Sequence, residues 1–333
     1  MSLATVQDGF VIGVDAGGTH TRVGCFGRDG TRLSFATGGG GSPTHNDDAQ
    51  ENVRATITRA LESGGLLPED ATALVAGMAG LNRSSSNQGD GRNDWASRFV
   101  DVDGLKCPKI AVNDAVIAHR GALSGRAGIV VVAGTGSMIL AIAPDGTETE
   151  SGQFLHYAGA ARHLVHDVVQ RILIGEATPN DPLLAAVLTH FGAADTAGLR
   201  NRVLANGASD RNAAKRNYGA LAPRVTSLAE ASRLADVALR DLAARTARGV
   251  RLLAPLAGEE FVPVACTGSL AADPAFRDRL EQTLHEDGPR TVELVEARLD
   301  PLGGAAVLAL ETAGAGPDQT VIDRLSMAEY AAM

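Results

Sequence analysis

Residues Gly13 to Thr21 read GVDAGGTHT, a glycine turn between two apolar stretches that carries one aspartate and two threonines. Adjacent glycines let backbone N–H groups converge on an anion, and Asp15 offers a carboxylate to a metal ion, so the pattern implies nucleotide phosphate with Mg²⁺. A carboxylate at the end of a buried strand costs stability unless it is paired, hydrogen-bonded or close to a metal. Gly17 and Gly18 supply the amides, and the hydroxyls of Thr19 and Thr21 are further donors. A second turn of this kind, Gly134-Thr135-Gly136-Ser137, follows the apolar run IVVVA, and a third glycine-serine pair, Gly268-Ser269, follows FVPVACT. Asp114 stands where KIAVN gives way to a helical pattern, either as the helix cap or as a carboxylate able to accept a proton at a sheet edge. The chain holds neither G-x-x-x-x-G-K-[ST] nor a G-x-G-x-x-G that opens a helix after a strand, so the P-loop and Rossmann phosphate sites are excluded.

The elements that position these residues are legible around them. FVIGVDAGGTHTRVGCFGRDGTRLSFA reads as strand, glycine turn, strand, Asp29–Gly30 hairpin and strand. AGIVVVAGTGSMILAIAPDGTE repeats that grammar with Asp145–Gly146 at the hairpin. Gly17 and Gly134 are 117 positions apart and Asp29 and Asp145 are 116 apart, which implies a duplicated unit. Between the two blocks, Val53, Ile57 and Leu61 mark an amphipathic helix that Asp47 or Asp48 can cap and Gly64 can stop. TALVAGMAG is a buried strand, and KIAVNDAVIAHRGALSG is a strand running into a helix from near Asp114 to near Gly125. TGGGGSPTHN at 37–46 is too glycine-rich for regular structure and reads as a mobile loop. Beyond residue 150 the pattern turns helical: a long helix is expected from about Ser227 to Leu253 with Pro255 ending it, then a strand, then a helix capped by Asp273. Strands alternating with helices predict an α/β fold with a largely parallel core. We place the domains at 1–115 and 116–333.

Composition bounds the rest. The 333 residues are 44% hydrophobic and 21% charged, ordinary for a globular protein with ample core, although the 4% aromatic share leaves packing to Ala, Val and Leu. A net charge of −9 argues against nucleic acid and anionic membranes as partners. Cys25, Cys107 and Cys266 are far apart with no C-x-x-C pair, which argues against a disulfide framework or a cysteine-built metal site and favours a reducing cytoplasm. Neither a secretory signal nor an apolar stretch of about 20 residues is present, so a cytoplasmic location is expected.

The ordered set GVDAGGTHT, AGMAG, VNDA, AGTGS, TGSL and PLGGAA, spread over about residues 10–310, resembles the sugar-kinase and actin-like ATPase superfamily, and within it the BadF-type ATPases and N-acetylglucosamine kinases. The resemblance implies two ribonuclease-H-like domains with ATP in the cleft between them. It implies an ATP-dependent kinase of a hexosamine, N-acetylglucosamine or glucosamine, with a small-molecule sugar as partner and a homodimer as the assembly. Asp114 is then the general base. Gly17, Gly18, Thr19, Thr21, Gly134, Thr135, Gly136 and Ser137 hold the phosphates, Asp15 positions Mg²⁺ through water, and Gly268 with Ser269 seats the adenosine. Asn46, Gly80, Asp114, Thr135 and Gly136 meet the sugar, with Ala79 beside Gly80. Two alternatives belong to other classes: a BadF-like ATPase that drives a protein partner, whose iron–sulfur cysteine pair is missing here, and a sugar sensor with reduced kinase activity.

One segment departs from that pattern. Similar N-acetylglucosamine kinases carry G-W-G and then G-D-E-G-S, whose acidic residues grip the sugar, but here SGQFLHYAGAARHLVHD puts Gly159 and Ala160 at the acidic positions and Arg162 near the serine. Charged hydrogen bonds of that kind are worth about 1.5–3 kcal/mol each, so the substrate or the turnover should differ. His156, His163 and His166 lie in the same stretch beside Asp167. His163 and His166 share a helix face at i, i+3, but the spacing matches no zinc motif. Arg162 with these histidines would instead suit an acidic or phosphorylated substrate.

Overall fold

The computed structural model describes residues 9–81, 98–134, 136–207, 211–258, 260–285 and 291–330. The chain divides into two compact units, Met1–Arg126 with Glu296–Met333, and Ala127–Val295.

In the first unit β1 (Phe10–Ala16), β2 (His20–Gly27) and β3 (Arg32–Gly39) form an antiparallel meander, and β4 (Ala71–Met78) and β5 (Lys109–Asn113) add to it in parallel, giving the order β3-β2-β1-β4-β5. Strand β1 is apolar at consecutive positions because both its faces are covered. Phe10, Ile12 and Val14 pack with Val53, Ile57 and Leu61 of α1 (Ala49–Gly64), while Val11 packs with Leu302, Ala306 and Leu310 of α10 (Pro301–Thr312) on the opposite face. Helix α1 ends one residue later than its sequence signal, since Gly65 rather than Gly64 takes the left-handed cap and returns its N–H to Leu61 and Glu62. Helix α2 (Asp114–Leu123) follows β5 directly.

In the second unit β6 (Gly128–Ala133), β7 (Ser137–Ile142), β8 (Glu148–Glu150), β9 (Phe261–Thr267) and β10 (Thr291–Val295) take the order β8-β7-β6-β9-β10, the first sheet's topology again. The duplication reaches individual bonds. Gly27 donates to Thr31 O and Thr31 N to the Asp29 carboxylate in the first hairpin, and Ala143 donates to Thr147 O and Thr147 N to the Asp145 carboxylate in the second. Between β8 and β9 the second unit inserts α3 (Ala161–Leu173), α4 (Pro182–Phe191), α5 (Thr196–Gly207), α6 (Arg211–Ala220), α7 (Ala222–Ser227) and α8 (Arg233–Ala257), and α9 (Pro274–His285) links β9 to β10.

Three expectations change here. The long alanine-rich helix begins at Arg233, where the Ser232 hydroxyl caps Ala235 N at 3.1 Å, and it runs past Pro255, whose missing N–H costs only one bond so near the helix end. Residues 37–46 are packed rather than loose: β3 continues to Gly39, Gly41 and Ser42 donate to Gly17 O at 3.0 and 3.1 Å, and a Cβ on Gly38, Gly39, Gly40 or Gly41 would meet a neighbour at 2.0–2.9 Å. The division falls at 126/127 and again at 295/296, whereas the sequence boundary is a single one at 115/116. The chain's last stretch returns to the first unit because the small-residue face of α10 fits α2 and β1: a Cβ on Gly304 would lie 1.9 Å from Ile117 O, and one on Gly13 would lie 3.1 Å from Ala306 N. Helix α11 (Gln319–Tyr330) follows α10, and Ile322 and Leu325 join the same core.

Candidate functional site

The first unit gathers its chemistry at one end of the sheet. Strands β1, β4 and β5 are parallel, with Ala16 paired to Met78 and Met78 to Asn113, so Gly17, Ala79-Gly80 and Asp114 all leave the sheet from the same row. Ligand sites of open α/β sheets form beyond the carboxyl ends of parallel strands for this reason.

Asp114 is the first residue of α2 and is not its cap. Asn113 is: its carboxamide oxygen accepts from Ala115 N at 2.8 Å while its amide donates to Leu81 O at 2.7 Å. Asp114 therefore stands at the positive end of the helix dipole with another residue doing the capping. Gly80 adopts φ +83, and a side chain there would press within 2.1 Å of the Thr44 hydroxyl. Ala79 ties the edge together, its N–H donating to Ala16 O and its carbonyl accepting from the Ser42 hydroxyl at 2.6 Å.

The glycine turn is held by its surroundings. Gly17 N donates to His20 O at 2.9 Å, and Asn46 donates its amide to Gly18 O at 3.0 Å, which brings Asn46 to the turn and commits its NH₂ group to shaping it. Thr19 is exposed at the tip. Thr21 corrects the sequence reading: it is fully buried, and its hydroxyl donates to Gly39 O at 2.7 Å, so it braces the neighbouring glycine segment instead of facing phosphate.

Asp15 has two partners that the motif search missed. Arg22 sits opposite it in the hairpin register and donates to Asp15 Oδ2 from Nε at 3.1 Å and from the terminal guanidinium at 2.7 Å. The same guanidinium reaches Asp300 Oδ2 at 2.5 Å, and Asp300 Oδ1 caps α10 by accepting from Gly303 N at 2.8 Å. Burial pushes the Asp15 carboxyl up, Arg22 works against that shift, and the second carboxylate, Asp300, adds to it. Both partners left a signal: a two-strand hairpin register places position 22 against position 15, and Asp-Pro at 300–301 is a helix-start signature.

Among the described residues no group of three or more His, Cys, Asp or Glu side chains could hold a metal ion directly. Asp15 Oδ2 is taken by Arg22, and no described residue bonds Oδ1. One free carboxylate oxygen beside a glycine turn suits Mg²⁺ that keeps its waters and takes its inner ligands from phosphate, so the residues present fit the ion.

The second unit repeats the arrangement. Strands β6 and β9 are parallel, with Val132 paired to Thr267, so Gly134 and Gly268-Ser269 leave the sheet side by side. Leu270 N and Ala271 N both donate to Ala133 O at 3.0 Å, and Gly268, at φ +100, leaves no room for a Cβ, which would sit 2.7 Å from that carbonyl. Gly134 lies against Ser269, and Gly136 faces open space. Ser137 begins β7 half-buried, and Thr135 lies outside the described residues. Ala161 N, at the start of α3, donates to Gly134 O at 3.2 Å and so joins that helix to the turn.

The histidines of the divergent segment have separate surroundings. His163 Nδ1 accepts from Ala160 N at 3.0 Å, its ring meets His166 edge to face at 6.0 Å, and His166 meets Tyr218 at 4.2 Å. Burial, with Arg162, His166 and Arg245 adding positive field, pushes His163 down to about 4. Asp167 pairs with Arg171 at 2.8 Å, and His156 buries Nε2 without a hydrogen-bond partner.

Two sheets of one topology, each with a glycine turn beyond its parallel strands, define the actin-like ATPase class of ribonuclease-H-like folds. The chain belongs to the BadF/BadG/BcrA/BcrD ATPase family, whose sequence model matches residues 12–309. It is 28% identical over 155 residues to the N-acetylmuramic acid/N-acetylglucosamine kinase of Clostridium acetobutylicum, a match covering 45% of this chain. That match spans 48% of the relative, about half its length. It is 24% identical over 223 residues to the glucosamine kinase of Vibrio cholerae, covering 66% of this chain and 71% of that one. The solved structure of a candidate N-acetylglucosamine kinase from Chromobacterium violaceum superposes with a TM-score of 0.70 at 28% identity, over 90% of this chain and 99% of that one. No helix among the described residues is long and apolar enough to cross a membrane.

Proposed function

We propose that the protein transfers the γ-phosphoryl group of ATP to a hydroxyl of a hexosamine, N-acetylglucosamine or glucosamine. The observation that carries this reading is the shared sheet end of Gly17, Gly80 and Asp114: the outer two are separated by two strand spacings, about 10 Å, a distance suited to a phosphate on one side and a sugar hydroxyl on the other. Asp114 accepts the hydroxyl proton as the sugar oxygen bonds to γ-phosphorus and the bond to the ADP oxygen breaks. The Gly17–Thr19 turn and the Gly134–Ser137 turn serve the phosphates, Gly268 with Ser269 serves the nucleoside, and Asn46 and Gly80 serve the sugar. Asp15 orients metal-bound water. Mg²⁺, when bound, offsets charge on the β- and γ-phosphates. The named kinases among the relatives support the same chemistry.

The test is coupled ADP release over a panel of hexosamines with the wild type and Asp114→Asn. The expected result is sugar-dependent turnover that falls at least about a hundredfold in the variant while ATP still binds, as removal of a general base predicts. Near-normal turnover in Asp114→Asn removes that residue from the mechanism. Sugar binding without any ADP release favours the sensor reading, which Gly159 and Ala160, at positions where similar kinases carry carboxylates, also favour.

A further inference from the structure

The geometry points to an oxyanion-binding position at the start of α3, built by Arg162 with His163 and His166, that takes a carboxylate or phosphate substituent on the sugar acceptor. This rests on the kinase reading above and names the class of acceptor.

The argument begins with donors that face one another. A neutral imidazole accepts a hydrogen bond at one nitrogen only. The 3.0 Å contact from Ala160 N occupies Nδ1 of His163, so Nε2 carries the ring proton. Arg162 Nε, also a donor, lies 3.4 Å from that Nε2. Two N–H groups pointed at each other repel, and an oxygen acceptor beside them would satisfy both.

No carboxylate among the described residues pairs with Arg162. The nearby acids are committed elsewhere, since Asp167, Glu176 and Asp241 all bind Arg171. His166 adds a second ring and Arg245 a further positive charge to the same cluster. In a chain of net charge −9, a half-buried arginine left without an acid is a conspicuous local excess of positive charge.

Placement supplies the link to a substrate. Arg162 is the second residue of a 13-residue helix, so the positive end of the helix dipole adds to the guanidinium. Ala161, immediately before it, donates to the carbonyl of Gly134 in the second phosphate turn. A guanidinium in that position is a fork suited to a planar oxyanion. The Clostridium relative is named for N-acetylmuramic acid, a hexosamine that bears a carboxylate, as well as for its neutral counterpart.

The experiment compares N-acetylglucosamine, N-acetylmuramic acid and N-acetylglucosamine 6-phosphate as ligands of the wild type, Arg162→Ala and Arg162→Lys. Binding is followed by calorimetry and turnover by ADP release, with ATP affinity measured separately and thermal melts as a check of folding. We expect the wild type to bind at least one acidic sugar more tightly than the neutral one. Arg162→Ala should lower the acidic-to-neutral ratio about tenfold or more, with Arg162→Lys intermediate. An unchanged ratio in both variants, or a wild type that binds and phosphorylates neutral sugars alone, overturns the inference and leaves the kinase reading standing. Loss confined to ATP affinity assigns the position to the nucleotide and overturns it too. Arg162-dependent binding of an acidic sugar without phosphorylation of any sugar keeps this position and removes the kinase reading.

Discussion

Arg22 and Asp15 face each other across the first hairpin, and the arginine holds the aspartate through two donors at 3.1 and 2.7 Å while also reaching Asp300. One guanidinium therefore joins the residue proposed to orient metal-bound water to the residue that starts α10. Arg22→Gln leaves two neighbouring carboxylates without their cation, and the expected cost is about 1–3 kcal/mol in a denaturant titration, since Arg22 retains some solvent contact. Asp300→Asn should cost less, because asparagine still caps Gly303 and Asp15 keeps its partner. Equal losses in the two variants would show that the bridge is not what couples them.

Glycine against glycine is what lets α2 and α10 cross so closely. A Cβ on Gly304 would lie 1.9 Å from Ile117 O and 2.5 Å from Gly121 N, both backbone atoms that cannot swing aside. Gly304→Ala should therefore destabilise by about 3 kcal/mol, the upper part of the overpacking range, despite the helix propensity that alanine adds. Gly219→Ala on α6 is the matched control: nothing lies within 4 Å of its Cβ position, so stability should rise by about 0.5–1 kcal/mol. Melts that move the same way in both variants would refute the crossing as the reason.

Most of the scaffold was legible because local signals agreed with one another. Hairpin aspartates 29 and 145, the strand-to-helix step at Asp114 and the Asp273 cap are each decided by neighbours in sequence, and each lies where its signal pointed. Long-range packing was not legible in this way. Four consecutive glycines read as mobility, yet they are small because α1, Asn46 and Ala16 press on them. Thr21 looked like a phosphate donor by its type, but the strand's period of two turns it into the core. Asp114 competed with Asn113 for the cap, and only the bond from Ala115 N to the asparagine decided between them. The Asp300 bridge joins residues 278 positions apart, which no spacing rule in one strand or helix can foresee.

The depressed titration of His163 makes a stability prediction with a definite sign. Burial and the positive charges of Arg162, His166 and Arg245 push its folded value down to about 4, against about 6.5 in the unfolded chain. Between those values the unfolded state binds the additional proton, so the neutral ring's contribution is complete above pH 6.5 and is lost as the pH falls toward 4. His163→Asn removes the titration while its side-chain oxygen can still accept from Ala160 N, as Nδ1 does now. Melting temperatures measured from pH 7 to 4 should fall for both proteins as other groups protonate, but the decline should be shallower in the variant. Parallel curves across that window would mean that His163 is not buried among positive charges in the folded protein.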